Sequence, residues 1–396
     1  MVLVSMQDFK RCAEQAAIMF RDEKAKDILI VHHDDADGLC SAAIIKETLE
    51  REGLKANTFC LEKVYTEVIS DIHSKNGRII FYADIGSSHA DLISELNGGQ
   101  NLTIILDHHD PKPSKDLRVL DLNLENFGFK GETDFSGATC CYLFAKALNE
   151  GNSDLDYLAL VGSFEIPEGY QSINKIILEE AIKNGRINRK GKNFNIAKLN
   201  VNVDVLFSKL QILGAVGYYE GGPDLGIDAC LNGIGQEVEK KIKVLEDRRK
   251  EVNRKVLGRL YRERLKETEH IQWFDAGNMY AGMGTKVIGQ FCSFLSYQTR
   301  LIKPNKYIVG FVNVPPEIPK WGKLKESFVK ASVRVPKQMQ RQIDEGKLLG
   351  AVVLLDKASE GFGIADGHQY AASVIVPYNR KSELIENMEK ATQHFK

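Results

Sequence analysis

What this chain has little of narrows its class. No window approaches 18 apolar residues, so no membrane-spanning helix is expected. Met1 to Asp8 carries no basic stretch followed by a long apolar core, so no secretory leader is read there. Excess charge of either sign is missing: 53 Lys and Arg stand against 54 Asp and Glu, a formal net charge of −1. That balance excludes a globally basic nucleic-acid coat but not a local basic groove, because clustering sets the field a ligand meets. The seven Cys, at 12, 40, 60, 140, 141, 230 and 292, include no C-x-x-C pair, which argues against a zinc knuckle or a disulfide framework. Internal repeats and low-complexity tracts are also missing. The expectation is a soluble protein of a reducing, cytoplasmic compartment with no membrane partner.

What is present is enough for two cores. The chain has 396 residues, 43% of them hydrophobic, and a length beyond one ordinary core predicts two domains. Helical periodicity spans residues 8–24, followed by short apolar strands at 28–31, 56–61, 79–83 and 102–106. Helices at 39–51, 64–74 and 88–96 lie between those strands, with further helices at 137–149 and 156–161. Strand–helix alternation at this spacing predicts an α/β fold with a parallel, doubly wound sheet. Residues 183–198 read as a basic, Gly- and Asn-rich break, and 204–234 as helical pieces interrupted at Gly221-Gly222-Pro223. Residues 236–268 are highly charged, with Val238, Ile242, Leu245, Val252, Val256, Leu260 and Leu265 near helical spacing and no Pro. They predict one stiff, exposed helix with a thin apolar stripe. Beyond it a smaller α+β domain is expected, with a helix at 284–297, strands at 306–312, 327–334 and 351–355, and a last helix from about 367. The predicted organisation is therefore 1–235, a linker helix at 236–270, and 271–396.

Three of the strands end alike. Ile28 to Val31 runs into His32-His33-Asp34-Asp35-Ala36-Asp37-Gly38, Ile79 to Ala83 into Asp84-Ile85-Gly86, and Leu102 to Leu106 into Asp107-His108-His109. Apolar strands that end in carboxylate or imidazole describe the carboxyl edge of a parallel sheet, where open α/β folds place ligands. His33, Asp35 and Asp37, at i, i+2 and i+4, project to one side if the loop is extended. Together with Asp84 and His108 they make three carboxylates and two imidazoles, which repel unless cations lie between them. Oxygen and nitrogen donors without thiolate suit Mn²⁺ or Mg²⁺. Two such ions bridged by one carboxylate hydrolyse phosphate esters.

At this point the residues resemble a family. His33-x-Asp35-x-Asp37-Gly38, Asp84 in D-x-G and Asp107-His108-His109 look like the first three motifs of the DHH phosphoesterase superfamily, which includes RecJ-type exonucleases, oligoribonucleases and cyclic-dinucleotide phosphodiesterases. The resemblance implies that His33 and Asp35 hold one ion, Asp37 and His108 the other, and Asp84 bridges them. It implies that His109 faces the scissile phosphate and that Asp107 orients an imidazole. The family's fourth motif supplies a further metal-binding Asp in a stretch like A-L-V-G-x-x-x-D. Here Ala159-Leu160-Val161-Gly162-Ser163-Phe164-Glu165-Ile166 places Ile166 at that position. Glu165, one residue before, and Glu168, two beyond, are the carboxylates at hand to replace it.

Toward the end, Gly361-Phe362-Gly363-Ile364-Ala365-Asp366-Gly367-His368 reads as a Gly-rich loop opening a helix, a setting that presents backbone N–H groups to a phosphate. With the following Gln369-Tyr370-Ala371-Ala372 it resembles the G-G-H-x-x-A-A-G motif of the DHHA1 substrate domain, with Asp366 and Ser373 in place of the outer glycines. Lys330-Ala331-Ser332-Val333-Arg334 is similar to that domain's S-x-R strand. Lys330, Ser332, Arg334, Gly367 and His368 are then the expected substrate contacts. The chain is similar to archaeal RecJ-like proteins, and within them to the Hef-associated nuclease group. The implied activity is exonucleolytic hydrolysis of single-stranded DNA or RNA, in repair or replication, with two Mn²⁺ or Mg²⁺ ions. Two rival readings are a phosphodiesterase of short oligoribonucleotides or cyclic dinucleotides, and a Cdc45-like scaffold without catalysis. The expected partners are single-stranded nucleic acid and a repair helicase or nuclease, and the 236–268 helix and the 183–198 segment are available for contacts between copies of the chain.

Overall fold

The computed structural model describes residues 2–25, 27–166 and 169–393. It contains two compact units, Met1–Gly214 with Gly221–Ile242, and Ala215–Glu220 with Lys243–Lys396.

The first unit opens with α1 (Val2–Asp22), β1 (Ile28–His32), α2 (Ala36–Arg51), β2 (Asn57–Cys60), α3 (Thr66–His73) and β3 (Ile79–Ala83). It continues through α4 (Ala90–Asn97), β4 (Leu102–Leu106), β5 (Val119–Asp121), α5 (Gly137–Leu148), α6 (Asp156–Gly162) and α7 (Ser172–Lys183). The sheet order is β2-β1-β3-β4-β5, and every pairing is parallel. All five residues of β1, of β3 and of β4 are buried, as expected for strands covered on both faces. The strand order reverses between β1 and β3, the switch point at which such sheets bind ligands. Register then fixes the site: His32 pairs with Ala83, and Ala83 with Leu106. The next residue on each strand, His33, Asp84 and Asp107, therefore leaves the sheet beside its neighbour.

The predicted break at 183–198 is instead structured. It forms β6 (Ile187–Lys190) and β7 (Asn193–Ile196), an antiparallel hairpin that turns at Gly191 with φ +64°, and β7 pairs with β8 (Val201–Asn202). Only the ends of the hairpin are apolar and fully buried, at Ile187 and Ile196, so its sequence hides the alternation that marks a strand. The unit then runs through α8 (Val203–Gln211) and α9 (Gly222–Asn232), and Pro223 sits in the first turn of α9.

The long charged segment is one uninterrupted helix, α10 (Gln236–Glu263). Its stripe is buried at Ile242, Leu245, Val256 and Leu260, while Leu265 lies beyond its end. The second unit adds β9 (Lys266–Glu267), β10 (Ile271–Asp275), α11 (Lys286–Leu295), β11 (Tyr307–Asn313), β12 (Glu317–Ile318), β13 (Gly322–Lys323) and β14 (Phe328–Arg334). After these come α12 (Lys337–Asp344), α13 (Ala351–Ala358), β15 (Ala365–Gly367), β16 (Ala371–Pro377) and α14 (Lys381–Gln393). The main sheet order is β15-β16-β14-β11-β10-β9, antiparallel except for β10 beside β11.

Two expectations fail in this unit. Residues 351–355 belong to helix α13, not a strand, because Ala351, Leu354, Leu355 and Ala358 bury one face at i, i+3, i+4 and i+7. No helix starts at 367. Gly367 and His368 end β15 and begin a tight turn, where His368 N–H donates to Ala371 O at 2.8 Å and β16 returns.

Candidate metal centre

Each ligand candidate is placed by local backbone logic. Asp35 caps α2: its Oδ1 accepts from Gly38 N–H at 2.9 Å, which leaves Oδ2 facing the sheet edge. Asp37 reaches the same region from the first turn of α2, not from the extended alternation read in sequence. Asp84 adopts φ +61°, a left-handed conformation costly for a non-glycine residue. That turn swings its carboxylate between the other strand ends.

The distances define a compact cluster. His33 Nδ1 lies 3.1 Å from Asp35 Oδ2 and 3.6 Å from Asp84 Oδ2. His33 Nε2 sits 3.3 Å from the fully buried Asp34, so Nδ1 is the nitrogen turned to the two carboxylates. On the other side, His108 Nε2 lies 3.5 Å from Asp84 Oδ1 and 3.9 Å from Asp37 Oδ2. His108 Nδ1 faces the Gly131 carbonyl at 3.1 Å, and Gly131 N–H donates to Glu125. A proton on Nδ1 satisfies that carbonyl and leaves the Nε2 lone pair for the centre. His109 contributes a donor atom within 4.8 Å of one from each of Asp84 and His108.

Supporting groups hold these side chains. Asp107 accepts from Ser87 N–H at 2.9 Å and His108 N–H at 2.7 Å, and its Oδ1 lies 2.7 Å from His109 Nδ1. Burial pushes the Asp107 carboxyl up, but His109, His108 and the Ser87 amide together hold it well below the usual carboxylate range. Burial, reinforced by the charge of His109, lowers the pKa of His108, which favours the neutral ligand form. Asp37 is gripped by the start of α5, accepting from Ser136 Oγ, Gly137 N–H and Ala138 N–H at 3.0, 2.9 and 2.9 Å. Close approach requires glycine here: a Cβ on Gly137 would lie 2.4 Å from Asp84 Oδ1, and one on Gly162 2.3 Å from Asp37 Oδ1.

The fourth-motif position is different. Ile166 is buried, and Glu165 is exposed and accepts from Gln211 Nε2 at 3.0 Å. Among the described residues, Glu165 belongs to no ligand cluster. Glu168 lies outside the described residues.

In the second unit, Lys330, Ser332 and Arg334 line one stretch of β14, with Lys330 and Ser332 buried. Arg334 Nε donates to Ser293 Oγ at 2.8 Å, and Gly289 of α11 packs so closely that a Cβ there would lie 2.9 Å from Arg334 Nη2. Gly367 and His368 occupy the β15–β16 turn, so the helix N-terminus expected to present amides there is missing, and the Gly-rich-loop reading is corrected.

Residues 27–163 match the DHH family, N-terminal domain. Over this stretch the chain is similar to the DHH family. An uncharacterised protein of Methanocaldococcus jannaschii is 30% identical over 162 residues, which are 39% of this chain and 36% of that protein. The chain thus spans about a third of that relative. Mn²⁺-bound RecJ of Thermus thermophilus superposes with a TM-score of 0.65 at 17% identity, over 97% of this chain and 55% of that one. Another manganese-bound exonuclease RecJ superposes with a TM-score of 0.63 at 16% identity, over 96% and 94% of the two chains. These likenesses show a RecJ-like fold.

The cluster's donor set fits divalent cations. His33 Nδ1 is buried and makes no hydrogen bond, yet it faces oxygens of two carboxylates. Nitrogen and carboxylate oxygen, without thiolate, are donors suited to Mn²⁺ or Mg²⁺. Sequence reasoning missed Asp34, Ser87, Gly131, Ser136 and Gly162. Of these, Ser136 carried a local signal, because Ser136 and Thr139 form a capping box at the start of α5. Asp34 stands next to His33 in the His/Asp run, and Ser87, Gly131 and Gly162 act through contacts distant in sequence. Among the described residues, no helix is long and apolar enough to cross a membrane.

Proposed function

We propose that the DHH domain is the catalytic part of a divalent-metal-dependent phosphoesterase that releases nucleotides from an end of single-stranded DNA or RNA, in repair or replication. One observation carries the reading: Asp84 turns Oδ2 to His33 and Oδ1 to His108, so a single carboxylate serves two flanking donor sets. His33 and Asp35 would hold one ion, Asp37 and His108 the other, with Asp84 common to both. Bound Mn²⁺ or Mg²⁺ supplies an activated water and positive charge at the phosphate. The chain's own residues do the positioning. Asp107 fixes the His109 ring through Nδ1, leaving Nε2 to meet a phosphate oxygen. Ser136 and the first amides of α5 hold the Asp37 carboxylate in its orientation. In the second unit, Lys330, Ser332, Arg334, Gly367 and His368 are the groups we assign to gripping the strand, now through strand and hairpin positions. The likeness to a manganese-bound exonuclease RecJ supports the exonuclease reading.

The test is a length series. Labelled single-stranded oligonucleotides from two to about thirty nucleotides are incubated with Mn²⁺, and nucleotide release is followed. Release from long strands is expected, and activity confined to the shortest substrates would overturn the exonuclease reading in favour of a small-substrate phosphodiesterase. A second reading, the non-catalytic scaffold, is favoured by the buried Ile166 at the fourth-motif position. Equilibrium dialysis against Mn²⁺ separates it, since a scaffold that has lost its centre binds none.

A further inference from the structure

The basic 183–198 segment and Ile166 have no role in the proposed reaction, yet they meet. A cavity of about 470 Å³ is floored by Ser163 and Ile166 and walled by α7 and the β6–β7 hairpin. That volume is in the range of small-ligand sites, roughly 300–1,000 Å³. Three aromatic side chains line it, the exposed Phe164 and the pair Tyr170 and Phe194, whose ring centroids lie 5.7 Å apart with planes at 74°. Tyr170 is locked in place, since its hydroxyl donates to Leu160 O at 2.7 Å. The Arg189 guanidinium sits 5.9 Å from the centre of the Phe194 ring. Lys175 and Lys192 add positive charge at the rim, opposed by one lining carboxylate, Glu179. Among the described residues, none of Lys175, Arg189 and Lys192 has a carboxylate within ion-pair distance, whereas many other cations of the chain are paired.

The cavity adjoins the metal centre through its floor. Ser163 Oγ lies 3.0 Å from Ser136 Oγ, which in turn donates to Asp37 Oδ1 at 3.0 Å. Where the resemblance leads one to expect an acidic side chain, Ile166 makes that floor apolar. Ile166 in the floor, the Tyr170–Phe194 ring pair and a guanidinium are a setting for a planar base, and cations at the rim without a carboxylate partner suit its phosphates.

We propose that this cavity is a nucleotide subsite, in which one base of the bound single strand stacks against Tyr170 and Phe194 while Lys175, Arg189 and Lys192 hold the adjoining phosphates. The assignment rests on the phosphodiester reading of the neighbouring centre. It explains why the hairpin is basic and why an isoleucine is accepted at position 166.

The test is calorimetric titration of the full-length protein with hexathymidylate, with divalent metal chelated to prevent turnover. Phe194→Ala is expected to weaken binding about tenfold, within the range measured for losing one base–aromatic stack. Lys192→Glu, at the exposed tip of the hairpin, is expected to weaken it about fivefold and to flatten the dependence of log K on log salt by about one unit. Lys10→Glu, on α1 and outside the cavity lining, should stay within twofold. Unchanged affinity for Phe194→Ala and Lys192→Glu would overturn the subsite, as would a Lys10→Glu loss equal to that of Lys192→Glu. Wild-type hydrolysis of bis(p-nitrophenyl) phosphate with Mn²⁺ is measured alongside. No hydrolysis with the expected affinity pattern would count against the phosphodiester reading and leave the subsite supported. Hydrolysis with unaltered affinities would reject the subsite alone.

Discussion

Gly137 shows how tightly individual residues bound this centre. A methyl group there would lie 2.4 Å from Asp84 Oδ1 and 2.8 Å from Asp84 Cα, so neither backbone nor carboxylate can stay in place. Gly137→Ala is expected to cost about 1–3 kcal/mol of stability, as overpacking does, and to weaken Mn²⁺ binding tenfold or more. Thermal melts and calorimetric Mn²⁺ titration measure the two effects. Asp121 offers a pH test. Burial pushes its carboxyl up to about 7, against hydrogen bonds from Ser87 Oγ at 2.8 Å and Asn126 Nδ2 at 3.5 Å. An unfolded chain ionises this group near pH 4, so between about 4 and 7 the folded state binds the extra proton. Its contribution to stability is thus fully present below pH 4 and lost as pH rises through 7. Asp121→Asn, which keeps an acceptor for Ser87, should be more stable than wild type by about 1–2 kcal/mol at pH 8 and nearly equal to it at pH 4, as read from thermal melts. The strand-end candidates were legible because each follows a short apolar run, and a polar group there has a direct reading. Ser87 and Asp121 were not, since their meaning lies in a contact with each other across 34 residues.

At the scale of elements, short wholly apolar runs were legible, and a short amphipathic helix and a polar hairpin were not. The strands at 79–83 and 102–106 are found with the bounds the sequence implies, because every residue in them is buried. Residues 351–355 misled because two adjacent valines favour a strand locally, while packing requires the helical face of Ala351, Leu354, Leu355 and Ala358. The β6–β7 hairpin was illegible because a polar, surface-facing ribbon has no apolar alternation to read. The long helix α10 gives a paired prediction. Leu245 is fully buried, and Leu245→Ala should cost about 2–5 kcal/mol, whereas its neighbour Val244 is 59% exposed and Val244→Ala should stay within about 0.5 kcal/mol. Urea denaturation of the two variants checks whether the stripe is a packed face.

Across the molecule, a parallel sheet has one edge where every strand delivers its next residue. Register fixes the rest: because His32, Ala83 and Leu106 are aligned, His33, Asp84 and Asp107 must converge, and adjacent helix starts supply Asp35, Asp37 and their caps. The centre follows from topology together with three strand ends, which is why it was visible in the sequence. The exception, Ile166, belongs to a loop after α6, where neither register nor periodicity constrains the side chain. The central claim is that Asp84 is shared between two donor sets, and Asp84→Asn tests it by changing charge with almost no change in shape. Nucleotide release from a labelled single strand with saturating Mn²⁺ should fall by about 100-fold or more in this variant, with the melting temperature unchanged or raised as carboxylate repulsion is relieved. Full activity in Asp84→Asn would contradict the account.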